Sequence, residues 1–283
     1  MVAKRIAAVL AAVAMIAGAV WWRGRDGAGA SSEGTLPASS PVVCALEVMA
    51  ACDTLRSEGA TVLVEPAGAT ADRLVTDDGA TPVVWVTIEP WPAVVEARRR
   101  AADRLARLSV SNVVAGLDVA LFGDLQTCGA TPTWTCVAGL PGLGIDDPVT
   151  TGTGPAVLIA LATGVAGADI ATVGATDPVV RDGIAGIKLR KPSPPNQDAA
   201  AVDILTLFPG VYRTVAGLAG RTSPAPVAVP TPAVRAGVVV ASSGPAPARV
   251  LRAAAAAGTP PNVSAGMPSG DVAYGLQLAW TKG

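Results

Sequence analysis

The sequence predicts an α/β fold with mainly parallel sheets, preceded by an N-terminal membrane helix. Three observations predict it. Short β-branched and aliphatic runs recur along the chain, amphipathic segments of helical length separate them, and glycine or proline marks the joins. At 283 residues the chain is long enough for one large or two modest cores.

The first element is for targeting. Lys4 and Arg5 precede an uncharged run from Ile6 to Trp22, and Arg23 and Arg25 follow it. Basic flanks with Trp21 and Trp22 at the far end read as an anchor at a membrane interface. A small-residue cleavage site ending at Ala19 gives the competing reading, a removed signal peptide. Residues 1–23 are therefore a signal anchor or signal peptide, and the Gly/Ala/Ser-rich residues 24–40 a flexible linker. Both readings export the rest of the chain, either anchored to the outer face of the cytoplasmic membrane or secreted.

"CALEVMAACDTLRSEG" has Leu46, Met49, Ala50 and Leu55 near one helical face, with Gly59 as its stop. "ATVLVEPAG" follows as a strand, and "ATADRLV" opens a helix with Thr70 near its cap. "TPVVWVTIEPW" is a buried-type strand ended by Pro90 and Pro92. In "PAVVEARRRAADRLARLS" the apolar positions recur at helical spacing, and the interleaved Glu96 and Asp103 mark the arginines as a solvated face. "VSNVVAGLDVAL" and "GLGID" are strand-like. A helix then runs from about Pro155 to Ala162, with Thr153 as its cap. "KLRKPSPPNQDAA" is an exposed loop. "PVAVPTPAVRAGVVVAS" gives two extended runs, "PAPARVLRAAAAAG" a helix, and "VAYGLQLAW" ends the chain.

Composition excludes several functions. A net charge of −1 provides no field to recruit nucleic acid. The chain has no histidine, which removes Ser-His-Asp and Cys-His catalysis and HExxH zinc sites. "NVSAG" looks like a nucleophile elbow, but no imidazole exists to activate Ser264. No GxxxxGK[ST] occurs, and "GTGPAV" lacks the third glycine of a dinucleotide fingerprint. We therefore expect no cofactor and no catalysis. The remaining enzymatic alternative is an acid-based hydrolase using Asp146 or Asp177, which requires two convergent carboxylates.

Export makes the four cysteines candidates for disulfides. Cys128 and Cys136 flank the turn-rich "GATPTWT" and would close a small loop. Cys44 and Cys52, if both helical, would lie about 12 Å apart along the axis, beyond the roughly 7 Å that a disulfide spans. They pair only if the helix starts after Cys44, or else the two loops exchange partners. Without histidine or CxxC, metal binding is the weaker alternative.

In order, these segments resemble the extracellular solute-binding proteins of bacterial uptake systems, in the two-lobed class II that includes molybdate and sulfate binders. "GATVLVEPAGATADRLV" resembles that class's strand, turn and helix, and "TPVVWVTIEPWP" its next strand. "LSVSNVV" is similar to the crossing into the second lobe, and "GIDDPVTTGTGPAVLIALATG" to that lobe's strand, proline turn and ligand-facing helix. "PVAVPTPAVRAGVVVAS" is similar to the return crossing and "GMPSGDVAYGLQLAW" to the terminal helix. One departure stands out. The class opens with a strand that delivers a serine to the ligand, and here only "SPVVC" precedes the first helix, so that strand is short or lost.

The resemblance implies a lobe of residues 41–111 and 229–283 and another of 112–228. Their cleft would hold a small polar solute or oxyanion, contacted by Thr70, Ser111, Asn112, Thr151 and Thr153. It also implies a membrane permease of an ABC transporter as partner. Helix N-termini would supply amides and partial positive charge to such a ligand. Trp85, Trp91 and Trp134 are either core residues or the lining of a pocket for a larger solute. The competing function is a fold of this kind that has lost its ligand and serves in protein interaction or surface sensing. A cleft filled by side chains would mark it.

Overall fold

A computed structural model describes residues 41–78, 82–123, 127–190, 214–218, 227–260 and 267–282. The export segment (1–23), the linker (24–40), Ser264 and residues 191–213 of the middle region lie outside the described residues. Among the described residues no helix is long and apolar enough to cross a membrane.

Three strand–helix units come first. β1 (Val42–Ala45) leads through a 3-10 turn (Leu46–Val48) into α1 (Met49–Ser57); β2 (Val62–Glu65) leads into α2 (Ala67–Thr76), and β3 (Val84–Ile88) into α3 (Trp91–Ala101). Then follow β4 (Ser109–Val110), β5 (Ala115–Gly123), α4 (Trp134–Gly139), β6 (Leu143–Ile145) and α5 (Thr153–Ala166). The remainder is α6 (Ile170–Val173), α7 (Pro178–Arg190), β7 (Thr214–Leu218), β8 (Arg235–Ser242), α8 (Ala248–Ala255) and α9 (Gly270–Lys282).

The strands run in the order β2-β1-β3-β8-β5-β7-β6, with β4 also on β8. β5 belongs to two ladders: Ala115 to Asp118 pair with β8, and Val119 to Gly123 pair with β7. The sheet is mixed rather than mainly parallel. Only β1–β2, β1–β3 and β6–β7 are parallel, whereas β8 runs against β3, β4 and β5, and β7 against β5. The cause is the return of the chain: β8 re-enters the first half from the far side and so runs against its neighbours. The two halves share one hydrogen-bonded path and are not separate sheets.

β1 and β3 are buried at every position, so both sheet faces are covered, as their unbroken apolar sequences require. α1 packs with α8, and α3 packs with α2 and α9. α5 is buried along nearly its whole length and ends at Gly167 in the left-handed region (φ 64°). Trp85, Trp91 and Trp134 belong to the core.

Several local expectations change. The strand before the first helix is short and not lost: β1 takes in Cys44 and Ala45, which also fit the helical spacing, and is central, bonded to both β2 and β3. The first extended run of "PVAVPTPAVRAGVVVAS" forms no strand and contributes isolated bridges from Ala228 to Leu121 and from Thr231 to Thr133. Lys188 to Arg190 continue α7 and do not open the loop.

Arg99 does not share the solvated face of Arg98 and Arg100. It is 6% exposed and donates to the carbonyls of Leu74 and Asp77, acceptors at the end of α2 that lack helical partners, and to that of Leu105.

Cys128 and Cys136 form the expected disulfide. Cys44 and Cys52, offered as disulfide candidates, are instead free buried thiols, although α1 does start after Cys44. Cys52 donates to the Val48 carbonyl at 3.2 Å. Its hydrogen bond with Cys44, together with burial, pushes the Cys44 thiol well above its ordinary value. Cys44 is thus protonated and unreactive.

Candidate functional site

β1, β2 and β3 run parallel, so the segments that follow them start at the same sheet edge. That edge carries the 3-10 turn with Glu47, the first turn of α2 with Gly68, and the start of α3 with Trp91. From the other half, β6 delivers the segment Asp146–Gly152, which leads into α5.

These pieces meet directly. Glu47 Oε1 accepts the Gly152 N–H at 3.0 Å. The Gly68 N–H donates to the Thr150 carbonyl at 2.9 Å, and Trp91 Nε1 to the Thr151 carbonyl at 3.1 Å. From α9, Gln277 Nε2 donates to the Pro148 carbonyl at 2.7 Å. Four elements of the first half thus hold one seven-residue segment of the second by its backbone.

The approach is close enough to select glycine twice. A Cβ on Gly68 would lie 2.7 Å from the Thr150 Cα, and a Cβ on Gly152 would collide with the Glu47 carboxylate.

The start of α5 differs from the expected cap. Thr151, not Thr153, does the capping: its hydroxyl accepts the Gly154 N–H at 3.0 Å and donates to the Asp147 carbonyl at 2.9 Å. Gly152 is the N-cap residue and Thr153 the first helical one. The Thr153 hydroxyl is buried, 1% exposed at residue level, and has no hydrogen-bond partner among the described residues. Glu47, 6% exposed, places a carboxylate on an amide at this N-terminus, where the helix dipole favours negative charge.

Of the five sequence-predicted ligand contacts, the structure brings Thr151 and Thr153 to this junction. Thr70 is fully buried in α2 and donates to Glu65 Oε1 at 2.7 Å; its helix reaches the junction through Gly68. Ser111 and Asn112 are elsewhere. The Ser111 hydroxyl accepts the Val240 N–H at 3.0 Å and donates to the Asn112 carbonyl at 2.7 Å, which fixes the passage from β4 to β5. Asp177 caps α7 through the Val179 N–H at 2.8 Å, and Asp146 opens the junction segment, so the two lie on different elements. Glu47, Gly68 and Gln277 were not anticipated; Trp91, expected as a core or pocket residue, is buried and reaches the junction through its indole N–H.

A cavity of ≈ 500 Å³ lies apart from the junction, between α4, the second half of α5 and residues 231–234. Trp134 lines it. The hydroxyls of Thr135 and Thr163 on its wall are spent on the carbonyls of Gly164 and Ile159. It has volume but few groups left for recognition.

The chain superposes on the ferric binding protein of Campylobacter jejuni with a TM-score of 0.50 at 8% identity, over 86% of this chain and 96% of that one. The fold is periplasmic-binding-protein-like, at a distance. Weaker similarities are to apo ferric ion-binding protein A of Pasteurella haemolytica (TM-score 0.49, 12% identity, 86% and 96% covered) and the periplasmic molybdate-binding protein of Azotobacter vinelandii (0.40, 12%, 76% and 97%). No protein-family model matches the chain, and no curated protein matches its sequence. No group of three or more His, Cys, Asp or Glu residues that could hold a metal ion occurs among the described residues.

Proposed function

We propose that the protein is an exported solute-binding protein, not an enzyme, that takes a small polar solute or oxyanion between its halves and passes it to a membrane permease. The halves are residues 41–111 with 229–283, and residues 112–228, hinged on β5 and β8. The first 23 residues direct export and either stay as an anchor or are removed. The observation that carries this reading is the convergence of Glu47, Gly68 and Trp91 on the segment that starts α5. Contacts of this kind between two halves hold a closed form, and a solute with matching polar groups favours closure by its differential affinity. The Cys128–Cys136 disulfide accords with an oxidising compartment. Thr151 and Thr153 are the contacts on the second half.

A second reading has one observation in its favour. The polar position at the start of α5 is filled by the protein's own Glu47, which fits a fold that no longer takes a solute and serves in protein interaction or surface sensing.

Thermal unfolding across a panel of oxyanions and small organic solutes separates the two. A solute at one hundred times its Kd stabilises a protein by about 2.7 kcal/mol, a rise in Tm of several degrees. A rise with one chemical class supports the receptor. Constant Tm across the panel overturns it in favour of the second reading.

A further inference from the structure

Glu47 lies in an otherwise apolar run, "VVCALEVMA", whose neighbours are strand and core residues. A carboxylate carried into that environment needs strong compensation. It finds it 105 residues away along the chain, on the Gly152 amide at the N-terminus of the fourteen-residue α5. Beside that amide the buried Thr153 hydroxyl has no partner among the described residues, so the helix start retains donor capacity that the protein does not use. Gly152 itself is shaped to the carboxylate, since a Cβ there would occupy its place.

We propose that Glu47 is a built-in anion that competes for this helix start and thereby sets the class of solute admitted there. This rests on the receptor reading above. In the closed form the protein is its own ligand. A solute that reaches the Gly152 N–H is a carboxylate or tetrahedral oxyanion that displaces Glu47, and its apparent affinity is lowered by the fraction of molecules in which Glu47 holds the amide. A neutral solute lacks the charge to compete at a helix N-terminus.

The test uses the full chain carrying Glu47→Ala, with Glu47→Gln as the variant that keeps shape and removes charge. Truncation leaves a space the size of a small carboxylate beside the Gly152 amide, and acetate is the probe. Sodium acetate, against sodium chloride at equal ionic strength, raises the Tm of Glu47→Ala by several degrees and moves its Gly152 amide resonance, while wild type moves by less than about a degree. Sulfate or acetate binds the variant at least about tenfold more tightly than wild type. If Glu47→Ala does not fold, Glu47→Gln carries the test, and it too binds acetate more tightly than wild type. Equal acetate response in variant and wild type, or none in a folded variant, overturns the proposal.

The two readings fail differently. If wild type binds nothing from the panel but acetate stabilises the variant, the receptor falls, and with it the selection of a solute, while Glu47 stands as the anion that occupies the helix start. If wild type binds a panel solute and Glu47→Ala binds it equally well, the receptor stands and the built-in anion falls.

Discussion

Replacing Gly68 by alanine tests whether the two halves are pressed together as described. The added methyl would sit 2.7 Å from the Thr150 Cα, a backbone atom that cannot rotate away. Overpacking of this kind costs about 1–3 kcal/mol. Pushing the segments apart also weakens the 2.9 Å bond from the Gly68 N–H to the Thr150 carbonyl. That bond is worth about 1 kcal/mol. Against this, alanine gains about 0.5–1 kcal/mol over glycine inside a helix. Steric strain wins, and the net loss is about 2 kcal/mol. For a chain of this size that lowers Tm by about 4–8 °C, measured by circular dichroism. Gly186→Ala in α7 is the control, because a Cβ there meets nothing within 4 Å. It keeps the helix preference without the clash and raises Tm slightly. If Gly68→Ala behaves like Gly186→Ala, the junction is not closed in solution and the two halves are not held by these contacts.

Three further outcomes follow from single features. Thr153→Val removes a buried hydroxyl that has no partner and raises stability by about 1 kcal/mol in chemical denaturation; a loss would mean that the hydroxyl is bonded. Reducing Cys128–Cys136, which are eight residues apart, releases a small loop; it costs about 2.5 kcal/mol and appears as a Tm lower in reductant than in air. Glu89, at the end of β3, has its carboxyl pKa raised by burial, an effect partly offset by the Gly237 backbone N–H. A raised carboxyl pKa means that the folded state binds more protons than the unfolded one, so stability falls as pH climbs from the ordinary glutamate value through the raised one. Glu89→Gln therefore raises Tm at pH 7 and leaves it unchanged well below the ordinary value; a uniform shift at all pH values would refute this account.

Much of the fold could be read locally. β2, β3 and α3 follow from apolar runs and proline or glycine stops, and Gly59 ends the first helical segment at φ 81° as its position predicts. β1 was legible only as a short run, because Cys44 and Ala45 also fit the helical spacing of the residues after them; its pairing with β2 and β3 overrode propensity. The direction of β8 has no local signature at all.

At the site, the hydroxyl-rich start of α5 was visible, but the capping role went to Thr151. The helix begins at Thr153, two residues earlier than Pro155 implied. Glu47 left one clue, an acid inside an apolar run, which demands a partner if buried. Trp91 stood out as a core or pocket residue but its partner did not, and Gly68 and Gln277 left no clue, because all three contact backbone carbonyls, and a carbonyl has no sequence identity.

The order of the strands bears on synthesis. Among the described residues β8 is the last strand, yet it lies between β3 and β5, in the interior of the sheet. Until it is made, both of its future neighbours present open edges that any extended peptide can pair with. The nascent polypeptide therefore cannot complete its framework until residue 242 has emerged. A premature stop before Arg235 would take out the keystone and not merely shorten one end.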